Sequence, residues 1–183
     1  MRARLLTIFL FLGINSFAQK SQKLTLSLGA GSSLMGTGDF RHRSLENELT
    51  YELNRYLTIR FSTLYGNSKH GVGAYQSYFQ GNINAFVSPF KNNRRNDFRL
   101  GTGVSRMSVT QFTEYYDIPF NPNQPIDRYS IGEHRSGGTS INLIIEDKFE
   151  IFQRLSLGLK AFTQPFSRGD INTGILLKMG VSF

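Results

Sequence analysis

The chain has 183 residues, 39% of them hydrophobic, with no cysteine and a formal net charge of +8. That length suits a single domain, and the missing cysteines exclude disulfide staples and a lipid anchor on an N-terminal cysteine. The basic balance gathers into no dense lysine/arginine helix or stripe, which argues against nucleic acid as a partner.

Arg2 and Arg4 precede an apolar run from Leu5 to Ile14, and Ser16-Phe17-Ala18 puts small residues at the −3 and −1 positions of a cleavage site. The pattern predicts a secretory signal peptide over residues 1–18, cut between Ala18 and Gln19. The run holds about ten apolar residues, too few to cross a bilayer as a helix. No later stretch approaches the ~18 apolar residues of a spanning helix. A membrane-resident mature chain, residues 19–183, would therefore cross as strands.

Eight candidate strands follow. The first is expected over about 24–34, with Leu24, Leu26, Leu28 and Ala30 on one face, then a polar loop from Gly36 to Arg43. The second runs over about 44–53, with Leu45, Leu49, Tyr51 and Leu53 outward, to a tight turn at Asn54-Arg55-Tyr56. The third starts at Leu57 and carries Ile59, Phe61 and Tyr65; Gly66 to Ala74 reads as a breaker. The fourth spans about 75–87, with Tyr75, Phe79, Ile83, Ala85 and Val87 outward, and ends at Pro89 before a basic turn. The fifth starts near Phe98, with Leu100, Thr102 and Val104 outward. A non-periodic stretch, about 112–138, contains Pro119, Pro122 and Pro125. The sixth strand is expected over about 139–151, the seventh over 155–163 after a turn at Gln153-Arg154. A loop around 167–170 leads into the last.

That last strand, Ile171 to Phe183, alternates without a fault. Ile171, Thr173, Ile175, Leu177, Met179, Val181 and Phe183 share one parity, while Asn172, Gly174, Leu176, Lys178, Gly180 and Ser182 share the other. Alternation of this kind marks a strand with one apolar face. An apolar face at the end of the sequence needs no protein cover where lipid is its solvent. The expected fold is all-β, an eight-stranded antiparallel up-and-down transmembrane β-barrel, with short turns on one side and longer loops on the other.

In this layout the chain resembles the small eight-stranded outer-membrane barrels of the OmpA, OmpX and OmpW type, and its cleavage site resembles those of Bacteroidetes exports. The resemblance rests on pattern over the whole mature chain, with no invariant motif. It implies residence in the cell outer membrane, contact with outer-membrane lipid, and delivery by the barrel-assembly machinery. In that setting the terminal Phe183 is similar to the signal which that machinery reads.

Charges collect on the inward parity. Glu46, Glu48, Glu52, Glu146 and Glu150 face the same interior as Arg60, Arg99, Lys148, Lys160 and Lys178. Eight strands leave an interior barely wide enough for its own side chains, so these charges are expected to pair. They would form either a plug of ion pairs or a gated proton or ion path. Arg106 and Asp147 fall on the lipid parity. Arg106 is expected near the outer rim, or a bulge at Ser105-Arg106 turns Met107 and Val109 outward.

His42, His70 and His134 fall in different expected outer loops, where they are either solvated or converge as a metal site. His42 with Ser44 is the one local pair that suggests a lipid-modifying barrel enzyme. Gly29, Gly31, Gly101, Gly103, Gly174 and Gly180 lack the strand–glycine–helix context of a phosphate loop and suit the inward face of a narrow barrel. No cofactor is implied. Tyr115, Tyr116, Phe120 and Tyr129, beside Glu114, Asp117, Asp127, Arg128 and Glu133, read as a contact surface for an extracellular or envelope protein partner, or as a loop packed on its own rim. The expected function is a non-enzymatic structural or surface-interaction module with a plugged lumen. The alternatives are a component of a larger envelope or conjugative-transfer machine, and a lipid-modifying enzyme.

Overall fold

The computed structural model describes residues 24–36, 40–70, 74–90, 95–116, 129–152, 154–167 and 169–183. The cleavage site at Ala18 and Gln19, residue Phe120 and the three loop prolines lie outside them.

The strands are β1 (Leu24–Met35), β2 (Phe40–Glu52), β3 (Leu57–His70), β4 (Ala74–Val87), β5 (Asn96–Tyr116), β6 (Tyr129–Glu150), β7 (Leu155–Pro165) and β8 (Ile171–Ser182). Each pairs antiparallel with its sequence neighbour, and β8 pairs with β1 to close the barrel. Closure leaves no open edge, so the ladder satisfies the backbone without water. The chain is an eight-stranded transmembrane β-barrel. We call the end that carries the β5–β6 hairpin the outer end, and the end with the 53–56 and 151–154 turns the inner end.

Period-two alternation decides what faces what. Leu177 is 62% exposed and its neighbour Leu176 is fully buried. The outward rows are continuous from strand to strand. Leu26, Leu49, Phe61, Ile83, Val104 and Ile141 are successive register partners around the wall and are all exposed. Exposed apolar side chains in such a belt fit hydrocarbon, where a soluble protein would have to cover them.

The inward face is mostly polar, with a minority of buried apolar side chains such as Leu64, Met107 and Leu176, and glycine makes room for the large rings it holds. Gly66 lies opposite Tyr78 across the β3–β4 ladder, and a Cβ there would come 2.2 Å from Tyr78 Cε1. Gly101 lies opposite Phe86, with a Cβ 2.4 Å from Phe86 Cε1. The tight turn into β3 has a local cause: Asn54 Oδ1 accepts hydrogen bonds from the backbone N–H groups of Tyr56 (2.8 Å) and Leu57 (2.9 Å), an Asx turn.

The strands run further outward than their sequences suggest. β2 starts at Phe40, where a loop to Arg43 was expected, and β3 continues through the expected breaker to His70. Most of the expected 112–138 loop is ladder, with β5 and β6 paired as far as Tyr116 opposite Tyr129. The reason is that hydrogen bonding sustains a hairpin beyond the bilayer, where alternation is no longer imposed by lipid. Three of the four outer connections span only three to five residues, the 71–73 link between β3 and β4 among them, whereas the fourth, 117–128, spans twelve.

No bulge interrupts β5 at Ser105-Arg106. The register passes evenly through Asn82 opposite Ser105 and Gly81 opposite Arg106, so Met107 and Val109 are buried inside and Arg106 faces out. Asp147 also faces out, opposite Phe98 and Leu159. It stands three residues from the inner end of β6 at Glu150, where an acidic residue on the lipid face costs little.

Candidate functional site

The largest concentration of chemistry lies inside the barrel. Glu46 and Glu48 project from β2, Arg60 from β3, Glu146 from β6, Lys160 from β7 and Lys178 from β8. All six are buried. Arg60 Nη1 donates to Glu146 Oε2 at 2.6 Å and lies 3.3 Å from Glu48 Oε1. Lys178 Nζ reaches the same two carboxylates at 2.6 Å (Glu48) and 2.9 Å (Glu146). Lys160 Nζ sits 2.7 Å from Glu46 and 3.6 Å from Glu48. Each cation therefore bridges two carboxylates, and Glu48 is shared by all three. Single removals leave partial compensation in such a network, because every charge but Glu46 has more than one partner.

Phe86 forms a ledge for this cluster. The Arg60 guanidinium carbon lies 3.8 Å from the ring centroid, a cation–π contact worth about 2 kcal/mol when desolvated. Phe86 can adopt that place because Gly101 opposite it carries no side chain.

The other inward charges do not join the network. Arg99 bonds Glu52 at 3.1 Å and also Asp97; Asp97 in turn accepts from Ser88 Oγ at 2.7 Å. Lys148 is buried but has no ion pair among the described residues. Glu150 is half-buried at the end of β6 and likewise has none among the described residues. Asp97 was missed in the sequence. It shares the inward parity of Arg99 but stands one residue before the expected start of the fifth strand near Phe98.

Neutral side chains occupy the levels above. Asn142 Nδ2 donates to Asn84 Oδ1 at 2.6 Å, Asn82 Nδ2 to Ser62 Oγ at 3.0 Å and Asn172 Nδ2 to Gln164 Oε1 at 3.3 Å; Gln80 bonds Asn82. Towards the outer end, the hydroxyls of Ser33, Ser44 and Tyr78 form a triangle of 2.8 to 3.0 Å.

His42 and Ser44 both face this outer lumen and not the lipid. Ser44 shares its hydroxyl with Ser33 and Tyr78, while His42 packs edge-on against Tyr78, ring centroids 5.1 Å apart. The two are not bonded to each other as a nucleophile and base would be. All three histidines lie in strands rather than loops: His42 in β2, His70 at the end of β3 and His134 in β6. No group able to hold a metal ion occurs among the described residues.

The remaining expected sites are at the edges. The Phe183 backbone N–H donates to Leu24 O at 2.8 Å, tying the last residue to the first strand. Tyr115, Tyr116 and Tyr129 belong to the outer ends of β5 and β6, with Tyr116 and Tyr129 as the last register pair.

No protein-family model matches the chain, and neither does any curated protein. Solved structures do match. The chain has the fold of small outer-membrane β-barrels. Neisserial surface protein A is similar at 10% identity, covering 89% of this chain and 98% of that one with a TM-score of 0.66. Ail, the attachment invasion locus protein of Yersinia pestis, is similar at 12% identity, covering 87% and 97% with a TM-score of 0.60; it has also been solved with the heparin analogue sucrose octasulfate. OprG of Pseudomonas aeruginosa is similar at 10% identity, covering 87% and 94% with a TM-score of 0.55.

Proposed function

We propose that this chain is a non-enzymatic, non-conducting barrel of the bacterial outer membrane that works at the cell surface through its β5–β6 hairpin. The observation that carries the reading is a division of labour within the molecule. Six buried charges, Glu46, Glu48, Arg60, Glu146, Lys160 and Lys178, are bound to one another across the lumen, which leaves none of that set free to move an ion or a proton. The hairpin strands, 21 and 22 residues long, outrun the 11 to 14 of the others.

Export follows the expected signal peptide, with Gln19 as the first mature residue, and Phe183 is the assembly signal. Likeness to outer-membrane barrels supports the location. The complex of Ail with a heparin analogue supports a binding role for a barrel of this size. The partner here differs in chemistry. Glu114, Asp117, Asp127 and Glu133 outnumber Arg128 and Arg135 over the hairpin sequence, which favours a basic or neutral protein partner over a sulfated polysaccharide.

Two experiments test this. The mature protein should fractionate with outer membranes and shift in mobility between unboiled and boiled samples on a denaturing gel, because a closed sheet resists detergent until heated. Recovery in the soluble periplasm with one unchanged band would contradict the reading. A photo-crosslinker at position 116 in intact cells should give one discrete adduct that a hairpin-shortened variant lacks. Intrachain products alone would show that the hairpin folds onto its own rim.

A further inference from the structure

We propose that the outer wall of the barrel carries a binding groove for a phosphorylated glycolipid of the outer leaflet, with Arg106 as its phosphate contact. The proposal rests on the outer-membrane reading above and adds a specific lipid site to it.

Asn47, Thr63, Gly81, Arg106 and Thr139 all face outward, and successive register pairs join them into one row across β2 to β6. The other four are small and uncharged. Larger apolar side chains stand on either side. Phe61, Ile83 and Val104 flank it towards the inner end, and Leu45, Tyr65 and Phe79 towards the outer end. The row is the floor of a groove of about 1040 Å³ whose lining takes in the inner flank of Phe61, Ile83 and Val104. Gly81 keeps that floor low, since a Cβ placed there would meet nothing within 4 Å.

The groove is inclined. A register row runs perpendicular to the strands, and strands of such barrels tilt about 35–45° from the membrane normal. Asn47 stands five residues from the inner end of β2 at Glu52, whereas Arg106 stands ten from the inner end of β5 at Asn96. The floor therefore climbs from mid-belt at Asn47 to the outer edge of the belt at Arg106. On β5 the outward residues below Arg106 are Phe98, Leu100, Thr102 and Val104, and those above it are Ser108 and Thr110. Three interstrand steps of about 4.8 Å separate the two ends, roughly 14 Å, enough for most of a fatty-acyl chain. Such a chain would lie between the apolar flanks with its headgroup at Arg106.

Charge selects the headgroup. Arg106 is exposed and has no ion pair among the described residues. A guanidinium offers a planar fork that matches phosphate oxygens. Arg41 and Arg43 face outward near the same end of β2 and add positive charge at headgroup level. A second copy of the chain is a poorer occupant. Within the apolar belt the outward acid among the described residues is Asp147, at the inner end of β6, the wrong height to meet Arg106 in a neighbour of the same orientation. The outer end faces the leaflet built of phosphorylated glycolipid, and that is the lipid we assign.

The test uses the mature barrel in nanodiscs of zwitterionic phosphatidylcholine, with the gel shift confirmed first. Its unfolding midpoint is followed as lipopolysaccharide, dephosphorylated lipopolysaccharide or phosphatidylglycerol is added, since a ligand of the folded state raises it. Lipopolysaccharide alone should raise the midpoint. Arg106→Ala and Gly81→Leu should each weaken that response about tenfold or more in concentration, as expected for losing a charged hydrogen bond or the space beside it. Arg106→Lys should keep part of it. Arg135→Ala should match the wild type, because Arg135 is bonded to Glu133 at 2.6 Å. An unchanged response in Arg106→Ala, an equal response to phosphatidylglycerol or to the dephosphorylated lipid, or a dimer cross-linked through position 63 would each overturn the proposal. A wild type with no gel shift would overturn the barrel reading and this proposal with it; a missing lipid response with the shift intact overturns this proposal alone.

Discussion

Arg60 on β3 and Glu146 on β6 meet across the lumen, Nη1 to Oε2 at 2.6 Å, although 86 residues separate them in sequence. The contact spans the barrel interior, so it reports on closure itself. Removing one member of a buried pair costs about 3–5 kcal/mol because the other charge is left without compensation. Here Lys178 contacts both carboxylates that Arg60 contacts, which should pull the loss towards the lower end. Arg60→Ala is therefore expected to lower the temperature at which the gel shift is lost. Arg60→Glu should be worse, and Arg60→Glu combined with Glu146→Arg should recover part of the difference. Equal midpoints for all three variants and the wild type would show that the pair contributes nothing to stability.

A second prediction concerns Gly66. A methyl group there would collide with Tyr78, whose hydroxyl joins Ser33 (2.8 Å) and Ser44 (3.0 Å). Overpacking of this kind costs about 1–3 kcal/mol, so Gly66→Ala should lower the unfolding midpoint. Adding Tyr78→Leu should relieve the clash, making the double variant less destabilised than the sum of the two singles. Strict additivity would mean that the two positions do not press on each other.

Much of this architecture was legible because lipid enforces period two. From Ile175 to Phe183 and from Ile83 to Val87 the apolar parity was unbroken, and the eight strands and the inward set of charges followed from alternation of this kind. The outer strand ends were not legible for the same reason. Arg41 and Arg43 face outward above the belt, where charge is tolerated, so β2 looked like loop before Ser44. The pairing within the lumen was out of reach as well. Which glutamate meets Arg60 depends on the stagger between β2, β3 and β6, and Glu52, close to Arg60 in the pattern, is bonded to Arg99 instead. Gly101 was read as small for a narrow interior, but its partner Phe86, and through it the seat of Arg60, required the register.

The third prediction separates recognition from packing at Phe183. Its backbone N–H bonds Leu24 O, a contact that a side-chain substitution leaves in place. Phe183→Asp should reduce the amount of assembled barrel in cells while refolding into detergent from urea proceeds to nearly the wild-type yield. Loss of the same size in both assays would assign the residue to packing.

The proposed non-conducting lumen rests on Glu46, Glu48, Arg60, Glu146, Lys160 and Lys178, which are bound to one another in an interior that eight strands leave only wide enough for side chains. Planar-bilayer recording of the purified, heat-modifiable protein tests it most directly. The account predicts a flat baseline for the wild type, and appearance of current only when the network is dismantled, as in a Glu48→Ala, Arg60→Ala, Glu146→Ala triple variant that still folds. Steady, reproducible single-channel steps from the wild type would contradict it and make the barrel a small pore.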